Sequence, residues 1–165
     1  MQELWRELIA ALVETLALYR HMLEWSENKK DVLVRGKPVE LEAINREEES
    51  LLLKGKELEH RRAKATAGLV TACGLAKADP ALAELADAAE PETAAQLRIL
   101  KTEFAAVLKD LTRLNAVNAK LTEQALAFVN YNLNLLTRRQ AEPTYAPVGA
   151  AIKESALSAL LDRKV

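Results

Sequence analysis

Apolar residues recur at intervals of three and four from Leu97 to Leu135, and this periodicity is the strongest structural signal in the chain. Nearly every a and d position of a heptad register is apolar, which is typical of a helix packed lengthwise on other helices. Two seam positions, Asn118 and Asn132, are asparagine. A buried amide costs stability unless it is hydrogen-bonded, and it favours one register over slipped alternatives. No glycine or proline interrupts the stretch, so we predict a long helix over residues 91–137.

Two earlier segments, residues 2–34 and 39–72, also show helical periodicity, and a short turn separates them. Gly36 suits a left-handed C-cap of the first helix, and Pro38 suits the first turn of the second. A link this short makes the two helices antiparallel neighbours.

The seam of the second helix is weaker than the later one. Three successive a positions are not apolar: Glu48, Gly55 and Arg62. A glycine inside a helix costs about 1 kcal/mol relative to alanine, so it either admits a close neighbour or marks a bend. The charged segment 46–49 is most simply a solvated face.

Residues 74–92 are predicted to break the helical pattern. Asp79 and Pro80 suit an N-cap and a first helical position, which predicts a short helix over about residues 80–88. Pro91 then begins the long helix. The predicted fold class is therefore all-α, an elongated antiparallel helical bundle or coiled coil of three long helices with a short connecting helix. At 1.5 Å per residue the last helix spans roughly 70 Å and the first two roughly 50 Å each, so one end extends past the hairpin.

Past Leu126 the apolar residues of the long helix point in several directions. The residues concerned are Phe128, Val129, Tyr131, Leu133, Leu135 and Leu136. One stripe cannot bury them all, so this end is expected to contact something besides its own bundle.

The domain prediction is a bundle over residues 1–139 and a second unit over residues 140–165. The second unit begins with an extended linker that carries Tyr145, a candidate aromatic anchor. A short amphipathic tail helix follows, whose apolar side includes Ile152, Ala156, Leu157, Leu160 and Leu161. Such a helix is marginal alone in water and must dock on this chain or on a partner.

Composition narrows the function classes. Half of the residues are hydrophobic but only 4% are aromatic, as in helical bundles. The 23 basic and 24 acidic residues give a net charge of -1, without the clustered basic face that nucleic-acid binding needs. The N-terminus lacks the features of a signal peptide, and no apolar run approaches a membrane span. We therefore expect a cytoplasmic protein with neither nucleic-acid binding nor membrane insertion.

Candidate chemistry is sparse, and we predict neither an enzyme nor a bound cofactor. Glu57 and His60 form one E-x-x-H unit, but a di-iron bundle needs two, and His21 has Leu18 three residues before it. The single cysteine, Cys73, has no C-x-x-C partner and cannot form an internal disulfide. There is no glycine-rich phosphate loop and no G-x-S-x-G motif.

Several motifs, in order along the chain, resemble those of one family. Residues 3–62 resemble the N-terminal hairpin of FlgN-type flagellar export chaperones, and residues 111–137 resemble the family's long third helix. The matching pieces are Leu4-Trp5, Lys29-Lys30 with Leu33, the L-E-A-I-N-R-E-E run of residues 41–48, Leu114-Asn115, Asn118 and Phe128-Val129. Residues 144–149 are similar to a T-Y-x-P-x-G element of some members. The resemblance covers most of the chain except residues 74–92.

The resemblance implies a cytoplasmic chaperone that catalyses no reaction. Such proteins bind C-terminal helical segments of the hook–filament junction proteins FlgK and FlgL, prevent premature assembly, and deliver them to the flagellar type III export apparatus. Our site hypothesis is that the client helix packs on the end of the long helix and on the tail. The candidate residues are Phe128, Val129, Tyr131, Leu133, Leu136, Tyr145, Ile152, Leu157, Leu160 and Leu161.

Two alternatives remain from the residues themselves. The chain could be a structural coiled-coil oligomerisation or adaptor module with no export client, in which the tail closes a homo-oligomer. It could also be a protein anchored on a membrane surface by the tail helix. The tail carries Lys153, Arg163 and Lys164 against Glu154 and Asp162, which is a poor match to anionic lipid.

Overall fold

A computed structural model describes residues 1–140, with side chains described through residue 137, as four α-helices. They are α1 (Gln2–Arg35), α2 (Pro38–Cys73), α3 (Leu82–Asp87) and α4 (Pro91–Gln140). The described part contains no strand, and the long helices pack on one another, so the predicted all-α helical bundle is confirmed. The predicted linker and tail helix lie outside the described residues.

The turn between α1 and α2 is built by the residues that the sequence singles out. Gly36 adopts a left-handed conformation with φ 64° and ψ 45°, which a residue without a Cβ adopts at no steric cost. Its N–H donates to the carbonyl of Leu33 at 3.2 Å, and the N–H of Lys37 donates to that of Val32 at 3.3 Å. Pro38 then begins α2. The N–H groups of the two turn residues thus satisfy two of the last carbonyls of α1.

The short helix α3 begins at Leu82 rather than at Pro80. The carboxylate of Glu84 accepts a hydrogen bond of 2.8 Å from the backbone N–H of Ala81, so it satisfies the helix start that we assigned to Asp79. Asp79 instead lies 3.6 Å from the guanidinium of Arg62 on α2.

Cross-helix contacts give the directions of α1 and α2. The side chain of Glu14 accepts a hydrogen bond from Arg61 at 3.0 Å, and Glu48 lies 2.6 Å from Lys29. Residue numbers therefore rise on α1 as they fall on α2, and these two helices are antiparallel.

The first part of α4 runs parallel to α1. The rings of Tyr19 and Phe104 meet edge to face with centroids 5.9 Å apart, and Ser26 hydrogen-bonds to Asn115 at 3.2 Å. Residue numbers rise together on both helices. Helix α2 therefore runs against both α1 and α4, as a short turn on one side and the connection through α3 on the other require.

Each helix contributes one completely buried leucine to the main core. They are Leu8, Leu69, Leu85 and Leu97, all with 0% exposure. Burying such a side chain contributes about 1.5–3 kcal/mol relative to leaving it in water. The short helix α3 is thus held by Leu85, which closes the core between the other three helices.

The three seam positions of α2 that carry no apolar side chain each have a structural explanation. A Cβ at Gly55 would lie 3.4 Å from Leu18 Cδ2, so the glycine faces a close neighbour on α1. Glu48 pairs with a lysine of α1, and Arg62 forms a two-point contact with Glu59. These charges lie at the edges of the helix interface and form ion pairs there.

Candidate partner-binding surface

The end of α4 carries an exposed group of apolar side chains, which we call the apolar band. Its members are Phe128, Val129, Tyr131, Leu133, Leu135 and Leu136. Phe128 is 67% exposed, Tyr131 61% and Leu136 60%. Single exposed apolar residues are ordinary on a protein surface, but a contiguous group marks a candidate interaction site.

The apolar band forms two stripes along the helix. Residues three, four or seven positions apart share a face, because an α-helix has about 3.6 residues per turn. One stripe consists of Phe128, Tyr131 and Leu135, and the other of Val129, Leu133 and Leu136. A partner can therefore contact this segment from more than one side.

The polar residues within the apolar band are uncharged. Residues 124–137 contain no Asp, Glu, Lys or Arg, and the intervening polar side chains include Asn130, Asn132 and Asn134. The amide of Asn132 donates to the carbonyl of Phe128 at 3.0 Å, within the same helix. A partner would meet amide groups without the cost of removing a charge from water.

Five of the predicted site residues therefore lie together on one described segment: Phe128, Val129, Tyr131, Leu133 and Leu136. The other five lie outside the described residues: Tyr145, Ile152, Leu157, Leu160 and Leu161.

A second surface feature, which our reading of the sequence missed, lies within residues 1–127. We call it the α2–α4 cleft. It has a volume of about 560 Å³, with Met22 and Ser26 of α1 at its floor. Leu52 of α2 and Leu111 and Ala119 of α4 also line it, together with the ion pair of Lys29 and Glu48. Periodicity could not find the cleft, since it depends on which faces of α2 and α4 stand apart.

Asn118 lines the cleft and is only 5% exposed. Its Nδ2 donates to the carbonyl of Ser26 at 2.8 Å, which fixes the amide orientation because a carbonyl can only accept. Asn118 Oδ1 is buried and has no hydrogen-bond partner within the described residues. A buried acceptor left unsatisfied costs about 1–3 kcal/mol.

A second cleft, of about 510 Å³, lies nearer α3 between the same two long helices. Glu59 and Arg62 line it on α2, and Phe104 and Leu108 line it on α4. Hydrogen bonds from Arg62, at 2.7 and 2.8 Å, hold the pKa of Glu59 below its ordinary value. The α2 side of this second cleft therefore carries an ion pair.

The described residues offer neither a metal site nor a membrane-spanning helix. No group of three or more His, Cys, Asp and Glu side chains is placed to hold a metal ion there. No helix in that part of the chain is long and apolar enough to span a membrane.

Comparison with known proteins gives one family and one distant relative. The family described as "FlgN protein" matches residues 1–152 of this chain. A Bacillus subtilis (strain 168) protein named "Uncharacterized protein YvyG" is 26% identical over 160 residues, which cover 96% of this chain and 98% of the relative. No solved structure matches the chain.

Proposed function

The chain belongs to the FlgN family, and from this premise we propose that it is the export chaperone of the hook–filament junction proteins FlgK and FlgL. Membership makes it a flagellar export chaperone, from a family of chaperones rather than of enzymes, whose partners in general are hook-associated flagellar proteins. The choice of clients and the binding site are our proposal.

The apolar band is the observation that carries this proposal. It presents two uncharged stripes to solvent, and an amphipathic helix recognises such a surface through apolar side chains spaced three and four residues apart. The C-terminal segments of junction proteins are helices that await assembly partners. Phe128 and Tyr131 are the expected anchors, because large aromatic side chains dominate the energy of such contacts.

Binding at the band explains the two parts of a chaperone's task. While the client helix lies on α4, its apolar stripe is covered and cannot pair with other junction proteins. A contact along residues 128–136 spans only about 14 Å, so the affinity is expected to be moderate, which permits release at the export apparatus. In the proposal, Tyr145, Ile152, Leu157, Leu160 and Leu161 contribute to this site or compete for it.

Calorimetry with the C-terminal segment of the FlgK-like protein from the same genome tests the proposal. The double variant Leu133→Asp with Leu136→Asp should weaken binding at least tenfold, because two carboxylates would have to leave water. The matched control is Ile99→Asp on the same helix, since Ile99 and Leu136 are both 60% exposed. Far-ultraviolet circular dichroism checks that each variant is folded.

Truncation after Arg139 measures how much the predicted tail residues contribute to the affinity for the client segment. If neither the truncation nor the double variant changes binding, the site lies elsewhere on the chain. If the intact chain binds no junction protein but is a dimer by light scattering, the coiled-coil oligomerisation module becomes the better account.

A further inference from the structure

We propose that the predicted tail helix, residues 151–164, docks on the apolar band of its own chain and so competes with the client helix. The inference rests on the proposed function for the identity of the client, but the occupant that it names is part of this chain. It gives the tail a regulatory role, because the band is open to a client only in the fraction of chains whose tail has left it.

The exposed apolar band is the surface that the tail would cover. Its six apolar side chains range in exposure from 43% at Leu135 to 67% at Phe128. A contiguous group of this kind marks an interaction site, and removing it from water is favourable whichever helix covers it. The segment attached directly to this end of α4 is residues 141–165, which contain the predicted amphipathic helix.

Attachment makes even a weak contact effective. A segment joined by a short linker meets its site at an effective concentration of about 1 mM. A contact with a dissociation constant of about 0.1 mM would then leave only roughly one chain in eleven open. The tail can therefore lower the apparent affinity for a client about tenfold without a large interface.

The linker is long enough for the tail to return along α4. Ten residues, 141–150, separate the end of α4 at Gln140 from the predicted tail helix. An extended chain of that length spans up to about 33 Å, whereas packed helices have axes only about 8–10 Å apart. Pro143, Pro147 and Gly149 disfavour a helix in the linker, so the sequence does not simply continue α4. The tail helix can thus run antiparallel to α4.

The apolar side of the tail matches the uncharged end of α4 in length. Residues 128–137 are ten positions without Asp, Glu, Lys or Arg, and the apolar side of the tail runs from Ile152 to Leu161, which is also ten positions. Each segment rises about 15 Å as an α-helix. The cations of the tail stand at the two ends of the predicted helix, where long side chains can reach water. Docking therefore buries no charge.

The chemistry of the two stripes of the band differs, and only one of them matches the tail. The apolar side of the tail offers aliphatic carbon alone: Ile152, Ala156, Leu157, Leu160 and Leu161. The stripe of Val129, Leu133 and Leu136 is likewise aliphatic. The other stripe would place the Tyr131 hydroxyl beside a surface that offers no hydrogen-bond partner. The tail therefore covers the aliphatic stripe, which includes the two leucines whose substitution is expected to weaken client binding.

Photo-crosslinking in the full chain alone tests the docking without any client. Benzoylphenylalanine replaces Leu133 in the aliphatic stripe, and in a control it replaces Asn134, which is exposed on another face of the same helix. We expect mass spectrometry to find crosslinks from position 133 to residues 151–164 within monomeric protein, and none from position 134. Absence of these crosslinks at position 133, or crosslinks confined to a second copy of the chain, would overturn the docking.

Affinity for the C-terminal segment of the FlgK-like protein tests the competition. Leu157→Asp with Leu160→Asp should tighten binding at least threefold, because a tail with two carboxylates on its apolar side no longer covers the stripe. Ser155→Asp with Ser158→Asp is the matched control, since it adds the same charge on the opposite side of the predicted helix, and it should change the affinity less than twofold. Truncation after Arg139 should tighten binding as much as the double leucine variant does.

The remaining outcomes distinguish this inference from the proposed function. Weaker client binding after truncation would show that the tail contributes to the site, and unchanged binding would show that it does not cover the site. Either result overturns the competition and leaves the proposed function intact. If neither the intact nor the truncated chain binds the client segment, the proposed function fails and the competition fails with it, while the crosslink at position 133 still decides the docking.

Discussion

The side-chain amide of Asn118 on α4 donates a hydrogen bond of 2.8 Å to the backbone carbonyl of Ser26 on α1. This bond joins residues 92 positions apart and sets the register of two parallel helices. The same amide leaves its oxygen buried without a partner, so Asn118 contributes specificity at a cost in stability.

Replacing Asn118 by aspartate should therefore lower the free energy of unfolding by about 2–4 kcal/mol, because it removes the donor and buries a carboxylate beside a carbonyl. Asn118→Leu removes both the donor and the orphaned oxygen and should stay within about 1 kcal/mol of the wild type. Urea denaturation measures both changes.

Asn132→Asp is the matched control on the same helix. The amide of Asn132 donates to its own helix, at Phe128, in an exposed position. Its substitution should change stability by less than about 0.5 kcal/mol. Equal effects at the two asparagines would contradict the role we give to Asn118.

Thr66 on α2 presents a second buried polar atom. It is 2% exposed, and its Oγ1 has no hydrogen-bond partner within the described residues. Valine has nearly the same shape without the hydroxyl, so Thr66→Val should raise the free energy of unfolding by about 1 kcal/mol. Thr71→Val is the control, because the exposed Thr71 hydroxyl donates to the carbonyl of Ala67. If thermal denaturation shows no gain at Thr66, its hydroxyl is satisfied in solution.

Two glycines of α2 should respond differently to alanine. At Gly55 an added Cβ would lie 3.4 Å from Leu18 Cδ2, an ordinary contact, so Gly55→Ala should stabilise the chain by about 0.5–1 kcal/mol. At Gly68 the Cβ would lie 2.9 Å from Leu4 Cδ2, and that side chain must move. Gly68→Ala should therefore stabilise the chain less than Gly55→Ala does. The order of the two melting temperatures checks this prediction.

The ion pair between Glu59 and Arg62 predicts a dependence on pH. Arg62 holds the pKa of Glu59 below its ordinary value of 4.5, so the pair stabilises the fold fully above that pH. The contribution is lost as pH falls through the lowered pKa. Because the pair is exposed, we expect only about 0.2–1 kcal/mol.

Glu59→Gln removes this titration and isolates its contribution. The difference in unfolding free energy between wild type and variant should be largest near neutral pH and shrink in acid. Glu57→Gln, at an exposed position on the same helix, is the matched control for the loss of one carboxylate. A difference that persists unchanged in strong acid would show that Glu59 acts through packing.

The positions of the three long helices could be predicted from the sequence because they depend on local patterns. Heptads, Gly36 and Pro38 act over a few residues and indicate where α1, α2 and α4 lie. The start of α3 was harder to predict, because the side chains of Asp79 and Glu84 are both suited to accept a hydrogen bond from the first turn of a helix. Contacts with other parts of the fold decide which of them does so. Arg62, on another helix, contacts Asp79 and leaves Glu84 to accept from Ala81.

Of the two candidate sites, one could be predicted from local sequence patterns and the other depends on how the helices pack. The apolar band is visible in the sequence, since one helix face cannot hold all its apolar residues. The α2–α4 cleft is not visible in the sequence, because Leu52 and Ala119 line the same cleft only through the relative placement of α2 and α4. The sequence likewise indicated that a buried Asn118 needs a partner, but the partner is a backbone carbonyl 92 residues away.

The parallel arrangement of α1 and α4 has a consequence for biosynthesis. Helices α1 and α2 meet through a turn of two residues, so their hairpin can close while the rest of the chain is still being translated. The main core cannot, because Leu8 must wait for Leu97. Until then the hairpin exposes leucines meant for the core, and a ribosome paused before Leu97 would present an aggregation-prone nascent chain.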